Sequence, residues 1–307
     1  MSVKSKKDEM KENPWRFLTF QDKIFLNIND LVLLIALVIV AYPIIYIISS
    51  SFSSPQAVST GKVVFLPVDL SLEGYQAVFK HQAIITGFAN TIFYTVAGTL
   101  INLFMTVLAS YPLSRARMPG KRIIAFMYTF TMIFSGGLIP SYMLNSQLGL
   151  VNTRLVLLIP GAISVFNMII CRTFFTSNIP EELNEAAQID GCDHVLFLVK
   201  VALPLSKPIL AVLALYYAVG HWNAYFDAFI YISDKKLFPL QIILRDILIM
   251  NQTAELVGDP ELMATQQGLA DLLKYALIVV SSLPFMLVYP FVSKHFVKGA
   301  LTGAIKG

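Results

Sequence analysis

Six long apolar stretches divide the chain, at about residues 30–52, 85–113, 122–145, 154–176, 208–233 and 271–293. Each comes near the roughly 20 mostly apolar residues that a helix needs to cross a bilayer. The pattern predicts an all-α integral membrane protein with six transmembrane helices across 28–293. A polar N-terminal tail (1–27) and a C-terminal tail (294–307) flank them. The first run, Leu31–Ile48, follows a basic tail as a signal peptide would. It is longer than the roughly 7–15 residues of a signal h-region and no A-x-A site follows, so it reads as a retained helix. Every window holds or abuts a proline, from Pro43 to Pro290, and the third adds Gly136-Gly137. Such residues bend helices, and membrane bundles accept them where neighbours or cavity water satisfy the freed carbonyl.

Basic residues orient the spans, because Lys and Arg stay on the cytoplasmic side. With both termini inside, 16 of the 23 Lys and Arg fall on inner segments. The short loop holding Arg115, Arg117, Lys121 and Arg122 without any acid decides the direction. Segments 53–84 and 234–270 are then outer; Ser71–Phe79 reads as an amphipathic helix at the outer interface, and Trp15 as an inner headgroup contact. No internal repeat is evident.

Two windows carry polar sectors. At ~100° per residue, Asn223, Tyr216, Asp227, Gly220, Ala224, Tyr217 and His221 share one side of span five, opposite Trp222, Phe226, Leu215 and Val219. In span two Asn90, Tyr94, Thr95, Gly98, Asn102 and Thr106 lie opposite Phe93, Val96, Leu100 and Val107. Polar groups inside a span face protein or water rather than lipid. Planar polar groups beside aromatic faces suit a sugar. Helix-to-helix hydrogen bonding would account for the same residues.

Composition agrees with a membrane location. Hydrophobic residues make up 56% and charged residues 14% of the chain, against about 25% charged in soluble domains. The net charge is only +4, with the cations at the ends of apolar runs, so no nucleic-acid stripe exists. Cys171 and Cys192 make neither a disulfide framework nor a zinc site, and are expected to be free thiols. His81, His194, His221 and His295 lack metal-ligand spacing.

The inner segment 177–205 carries the sharpest signal. Pro180 opens a helix, Glu181 and Glu182 sit in its first turn, and Glu185, Ala186 and Ala187 continue it. Gly191 permits a tight turn or close backbone approach. A second helix follows through Val195–Leu203 and ends at Pro204. A connector needs only a few residues; this length and order suggest an interaction element.

The run Glu185-Ala186-Ala187, three residues, Gly191, nine residues, Val201-Ala202-Leu203-Pro204 resembles the E-A-A-x3-G-x9-I-x-L-P loop of ABC importer permeases. Val201 stands where the pattern has Ile. Ser51–Pro55, Trp222-Asn223 and the tail Phe296–Gly307 resemble the carbohydrate-uptake, maltose-permease-like members. Gly136–Pro140 is similar to the subgroup that moves oligosaccharides from complex polysaccharides. The resemblance implies an ABC type I importer permease fold in the cytoplasmic membrane of a bacterium. It implies ATPase coupling through Glu185, Ala186, Ala187, Gly191, Leu203 and Pro204. It also implies a C-terminal tail contact to the ATPase pair through Lys298, Gly299 and Gly303. Candidate path residues are Asn90, Tyr94, Asn102, Tyr216, Tyr217, His221, Asn223 and Asp227.

No G-x-x-x-x-G-K-[ST] phosphate loop occurs, as Pro119-Gly120-Lys121-Arg122 lacks its first glycine and its Ser/Thr. The chain is therefore expected not to be an enzyme and to hold no cofactor or metal. ATP and Mg would belong to a dimer of separate ATPase subunits. The remaining implied partners are a second permease subunit, an extracytoplasmic solute-binding protein, the lipid bilayer and a carbohydrate substrate. The alternatives are an ion-coupled secondary transporter, which usually shows paired repeats and broken midplane helices, and a membrane enzyme, which needs clustered acids or a metal at one face.

Overall fold

A computed structural model describes residues 19–254 and 273–287, and every regular element among them is helical. Trp15 and the tail residues Lys298, Gly299 and Gly303 lie outside the described residues.

Helix α1 (Phe20–Ser51) starts at a capping box. Thr19 Oγ1 accepts the Asp22 N–H at 3.2 Å, and the Asp22 carboxylate accepts the Thr19 N–H at 3.1 Å. None of its most apolar window is buried; Ser49, Ser50 and Ser51 are buried at its end, and Tyr42 and Tyr46 meet Phe65 and Tyr275 edge-on. Two short helices follow, α2 (Pro55–Ser59) and the amphipathic α3 (Glu73–Lys80), which covers most of the expected interfacial helix and buries Val78.

Helix α4 (Gln82–Ser114) is the central element. Its buried face is small and polar, running through Asn90, Thr91, Tyr94, Gly98, Asn102, Thr106 and Ser110. Its outer face shows Phe93, Val96, Leu100 and Phe104. Water would reverse that arrangement; lipid favours it, because hydrocarbon accepts apolar side chains and small residues let helices approach. On the inward face pack α7 (Val165–Asn178) and α10 (Lys207–Asn223), closing a core of Val107, Tyr111, Cys171, Phe175, Ile179, Phe197, Leu213 and Tyr217.

The third window is broken. Helices α5 (Lys121–Ile133) and α6 (Leu138–Gln147) meet at 116°. Gly137 takes φ +85°, ψ 179° there, a conformation open only to glycine. The fourth window is shortened. Pro160 and Gly161 interrupt it after a 3₁₀ turn at Arg154–Leu157, and α7 begins from the Ser164 N-cap. Between α7 and α10 lie α8 (Glu181–Ile189) and α9 (His194–Leu205). The latter contains a π turn at Leu198–Ala202 and meets α10 at 81°. It runs one residue past Pro204 rather than ending there.

The fifth window is also divided. Helix α10 stops at Asn223, whose amide donates to the Val219 carbonyl at 2.9 Å. Such local back-bonding, from a weak helix former, competes with the next turn. After an extended Ala224 the chain resumes as α11 (Phe226–Tyr231). Helices α12 (Leu240–Ala254) and α13 (Leu273–Leu287) complete the described fold. Trp222 Nε1 donates to the Ser281 carbonyl at 3.1 Å, which ties α13 to α10. Among the described residues two helices, α1 and α4, are each long and apolar enough to cross a membrane. The bent pairs α5–α6 and α9–α10 reach that character as pairs.

Candidate functional site

A cavity of about 580 Å³ opens between α4, α7, α10 and α11. Of the sequence candidates, Tyr94, Asn102, Tyr216, Tyr217, His221 and Asp227 line it. Its polar walls are held by a hydrogen-bonded lattice. His221 Nε2 lies 2.6 Å from Asn102 Oδ1, and Asn102 Nδ2 donates to the Gly161 carbonyl at 2.7 Å. The Tyr217 hydroxyl shares a 2.7 Å bond with Thr106 and accepts the Ser164 N–H at 3.3 Å. Tyr94 donates to the Leu237 carbonyl at 2.8 Å. Gly98 forms the notch that admits the His221 ring, since a Cβ there would overlap it. Asp227 reaches the same cavity from α11, not by continuation of the α10 wheel.

Two candidates stand elsewhere. Asn90 is buried with its amide donating to the Lys236 and Phe238 carbonyls, at 2.7 and 3.1 Å, while Arg154 donates to its oxygen at 3.0 Å. It pins the 235–239 segment onto α4 and does not line the cavity. Asn223 caps its own helix. Asn145, Ser164 and Asn167 do line the cavity; they sit in windows three and four, where polar residues flanking Gly136-Gly137 and Pro160-Gly161 were the available signal.

At the opposite end of α4 and α7 lies the helical hairpin α8–α9. Pro180 precedes α8, whose first turn holds Glu181 and Glu182. Gly191 makes the turn at φ +79°, and no atom lies within 4 Å of a Cβ placed there. Backbone conformation within this chain therefore explains the glycine, and close approach does not. Phe197 and Ala202 are buried beside Phe175, Ile179 and Leu213, with Ala187, Cys192 and Leu203 packed around them. The hairpin is thus seated on α4, α7 and α10. Its far side is open and carries bare apolar side chains among charged ones: Ile189 is 87% exposed and Val195 69%, beside the exposed Asp190 and Asp193.

Two arginines of the 115–122 loop hold α8. Arg115 is buried, with its guanidinium 3.5 Å from the Glu181 carboxylate and 3.5 Å from the Phe175 and Ile179 carbonyls at the end of α7. Arg117 pairs with Glu185 at 2.7 Å on the exposed side. The cation facing Glu185 therefore belongs to this chain. Nothing in the linear sequence pairs position 117 with 185. A pocket of about 500 Å³ beneath these pairs is lined by Tyr111, Arg115, Glu181 and Asn184 among others. Among the described residues no cluster of His, Cys, Asp or Glu suits a metal ion.

A family model described as "Binding-protein-dependent transport system inner membrane component" matches residues 83–302. The chain belongs to that family. The matched range takes in every cavity-lining residue and the whole α8–α9 hairpin of this permease. The permease is 39% identical over 276 residues to the polygalacturonan/rhamnogalacturonan transport system permease protein YtcP of Bacillus subtilis (strain 168), covering 90% of this chain and 96% of the relative. It is 40% identical over 267 residues to protein LplC of the same organism, covering 86% and 89%. It also matches a solved bacterial ABC transporter involved in the import of the acidic polysaccharide alginate, with TM-score 0.84 and 37% identity over 91% of this chain and 99% of that one. The fold is that of a type I ABC importer permease, and the family favours an ATP-driven importer over an ion-coupled carrier. Such permeases are transport components, not enzymes.

Proposed function

We propose that this permease forms half of the translocation path of an ATP-driven importer for oligosaccharides released from complex polysaccharides. The observation that carries the reading is the cavity itself. Tyr216, Tyr217, His221, Asn102 and Asp227 place aromatic and hydrogen-bonding groups around about 580 Å³, directly above the packed hairpin. The transport roles named for YtcP and for the alginate importer support the sugar class. In this reading the chain has six spans and both termini in the cytoplasm of a bacterial cell. It works with a second permease, a dimer of ATPase subunits binding ATP and Mg, and an extracytoplasmic solute-binding protein. The membrane domain is 28–293, with tails 1–27 and 294–307. The bare apolar flank of α1 faces lipid and the second permease.

The ATPase docks on 177–205, where Glu185, Ala186, Ala187, Gly191, Leu203 and Pro204 set the hairpin's shape, and Lys298, Gly299 and Gly303 of the tail reach the ATPase pair. The coupling is a rigid-body switch: closure of the ATPases moves α8–α9, and the shared core passes the motion to α4, α7 and α10. The test is uptake by the complete complex in liposomes, across galacturonan, rhamnogalacturonan, alginate and malto-oligosaccharides, with its binding protein outside. ATP-dependent uptake of polysaccharide-derived oligosaccharides by the complex, and none by this chain alone, is expected. Uptake by the isolated chain, or uptake driven by an ion gradient without ATP, refutes the reading.

A further inference from the structure

Beside the hairpin, an open cleft of about 620 Å³ lies between α5 and α7. It is lined by Lys121, Arg122 and Arg172, with Ala125, Phe126 and Thr129 below them. No carboxylate lines it. Among the described residues neither Arg122 nor Arg172 forms an ion pair. Lys121 donates to the Arg115 carbonyl at 3.1 Å and lies within electrostatic reach of Arg172, of Arg115 and of the Glu181 carboxylate, which is already paired with Arg115. Three cations converging on one cleft repel each other unless an anion joins them.

The surface that leads away from the cleft is apolar. No residue of α5 is buried. Ile123, Phe126, Met127, Phe130 and Ile133 are 47–71% exposed. A cationic shelf at the head of an exposed apolar helix matches the two ends of one kind of molecule, an anionic headgroup and its acyl chains. Basic pockets between spans on the cytoplasmic side are suited to such lipids.

We propose that this cleft binds the headgroup phosphate of an anionic phospholipid, with the acyl chains lying along α5. Charge complementarity selects the headgroup, and the exposed side chains of α5 supply the chain contact. Because Arg172 is on α7, which continues into the coupling hairpin, the lipid bridges α5 to the body that moves with the ATPases.

The test uses the purified complete importer, stripped of lipid and offered mixed micelles of phosphatidylglycerol or phosphatidylcholine. Lipid retention is read by native mass spectrometry. Retention of phosphatidylglycerol and not of phosphatidylcholine is expected. Removing each cation should weaken retention roughly fivefold, giving about a hundredfold for Lys121→Gln/Arg122→Gln/Arg172→Gln. Should the triple variant fail to assemble, Arg172→Gln alone carries the roughly fivefold test. Lys235→Gln/Lys236→Gln, far along the chain in the 3₁₀ turn after α11, should change nothing. Equal retention by wild type and variants overturns the proposal, as does equal retention of phosphatidylcholine. Displacement of the lipid by 10 mM inorganic phosphate (about the concentration that would occupy a weak anion site) shows a free-anion site and also overturns it. Micelle binding reads the cleft whatever the direction of transport, so its failure is separate from failure of the uptake assay.

Discussion

Gly98→Ala is the smallest change that should alter the cavity. A Cβ at this position would sit 2.7 Å from Cδ2 of His221 and closer still to Cε1 and Nε2. Something must move. The α4 and α10 backbones are held together at this level by the Thr106–Tyr217 and Asn102–His221 bonds, so the side chain yields first. The His221 ring lines the cavity of about 580 Å³, which gives it room to move. Swinging there breaks the bond to Asn102, which in a membrane is worth about 0.6 kcal/mol. An off-rotamer side chain adds about 0.5–1.5 kcal/mol. The expected penalty is therefore about 1–2 kcal/mol, at the low end of what overpacking costs in a filled core.

The functional effect should exceed the stability effect, because the displaced imidazole then stands in the proposed path. Uptake by Gly98→Ala in the reconstituted complex should fall severalfold, with a small loss in thermal stability. His221→Ala removes the ring that the new methyl would strike, so in that background Gly98→Ala should cost almost nothing. The double-mutant cycle should show a coupling of about 1–2 kcal/mol, within the range for contacting residues. Equal penalties for Gly98→Ala in the two backgrounds would refute the assignment of Gly98 as the notch for His221.

Three further outcomes are expected. Gly191→Val should lower binding-protein-stimulated ATPase activity, because φ +79° costs an L-residue about 1–2 kcal/mol, while Gly191→Asn should be milder; equal damage from both would point to a steric clash with the ATPase instead. Arg117→Glu and Glu185→Arg should each weaken ATPase coupling and the double swap should restore it, with stability changes under about 1 kcal/mol for so exposed a pair; failure of the swap to restore activity would mean Glu185 answers to a partner. In a background without Cys171 and Cys192, cysteines at 216, 220 and 227 should react with aqueous thiol reagents and those at the buried positions 213 and 222 should not; uniform labelling would contradict the cavity wall.

Helical periodicity made the inward face of α4 legible, because one uninterrupted helix keeps its angles from Asn90 to Thr106. The same arithmetic placed Tyr216, Tyr217 and His221 together on α10. It had no basis for carrying Asp227 onto that wall, since the helix breaks at Asn223, and Asp227 arrives there through a separate turn. The breaks themselves follow from glycine and proline at 136–137 and 160–161, which the sequence displays, but the 116° angle between α5 and α6 depends on how the pieces pack. Asn90 illustrates a different limit. Its position on the polar face was readable, yet the carbonyls it satisfies belong to residues 236 and 238, and distant backbone partners leave no periodic trace. The hairpin 180–204 was readable because helix starts, a turn glycine and small residues are local signals. The Arg117–Glu185 pair was not, because it joins a loop to helix α8 across three intervening helices, α5, α6 and α7.

Tyr217 connects the two ends of the molecule. Its hydroxyl belongs to the cavity lattice through Thr106 and Ser164, while its ring belongs to the same core as Phe197 and Ala202 of the hairpin. Arg115 closes the arrangement from below by holding the end of α7 and the start of α8 at once. Close-packed interiors transmit displacement because they have few voids to absorb it. In the proposed coupling, a push on α8–α9 enters this core through Phe197 and Ala202. It then moves α4, α7 and α10 together, and with them the walls that carry Asn102, Tyr217 and His221. The breaks at Gly137, Ala224 and the α9–α10 bend lie at the margins of this packed unit, where reorientation costs the fewest buried contacts. Rigidity inside the unit and bending at its edges are what a path opening alternately to each side requires.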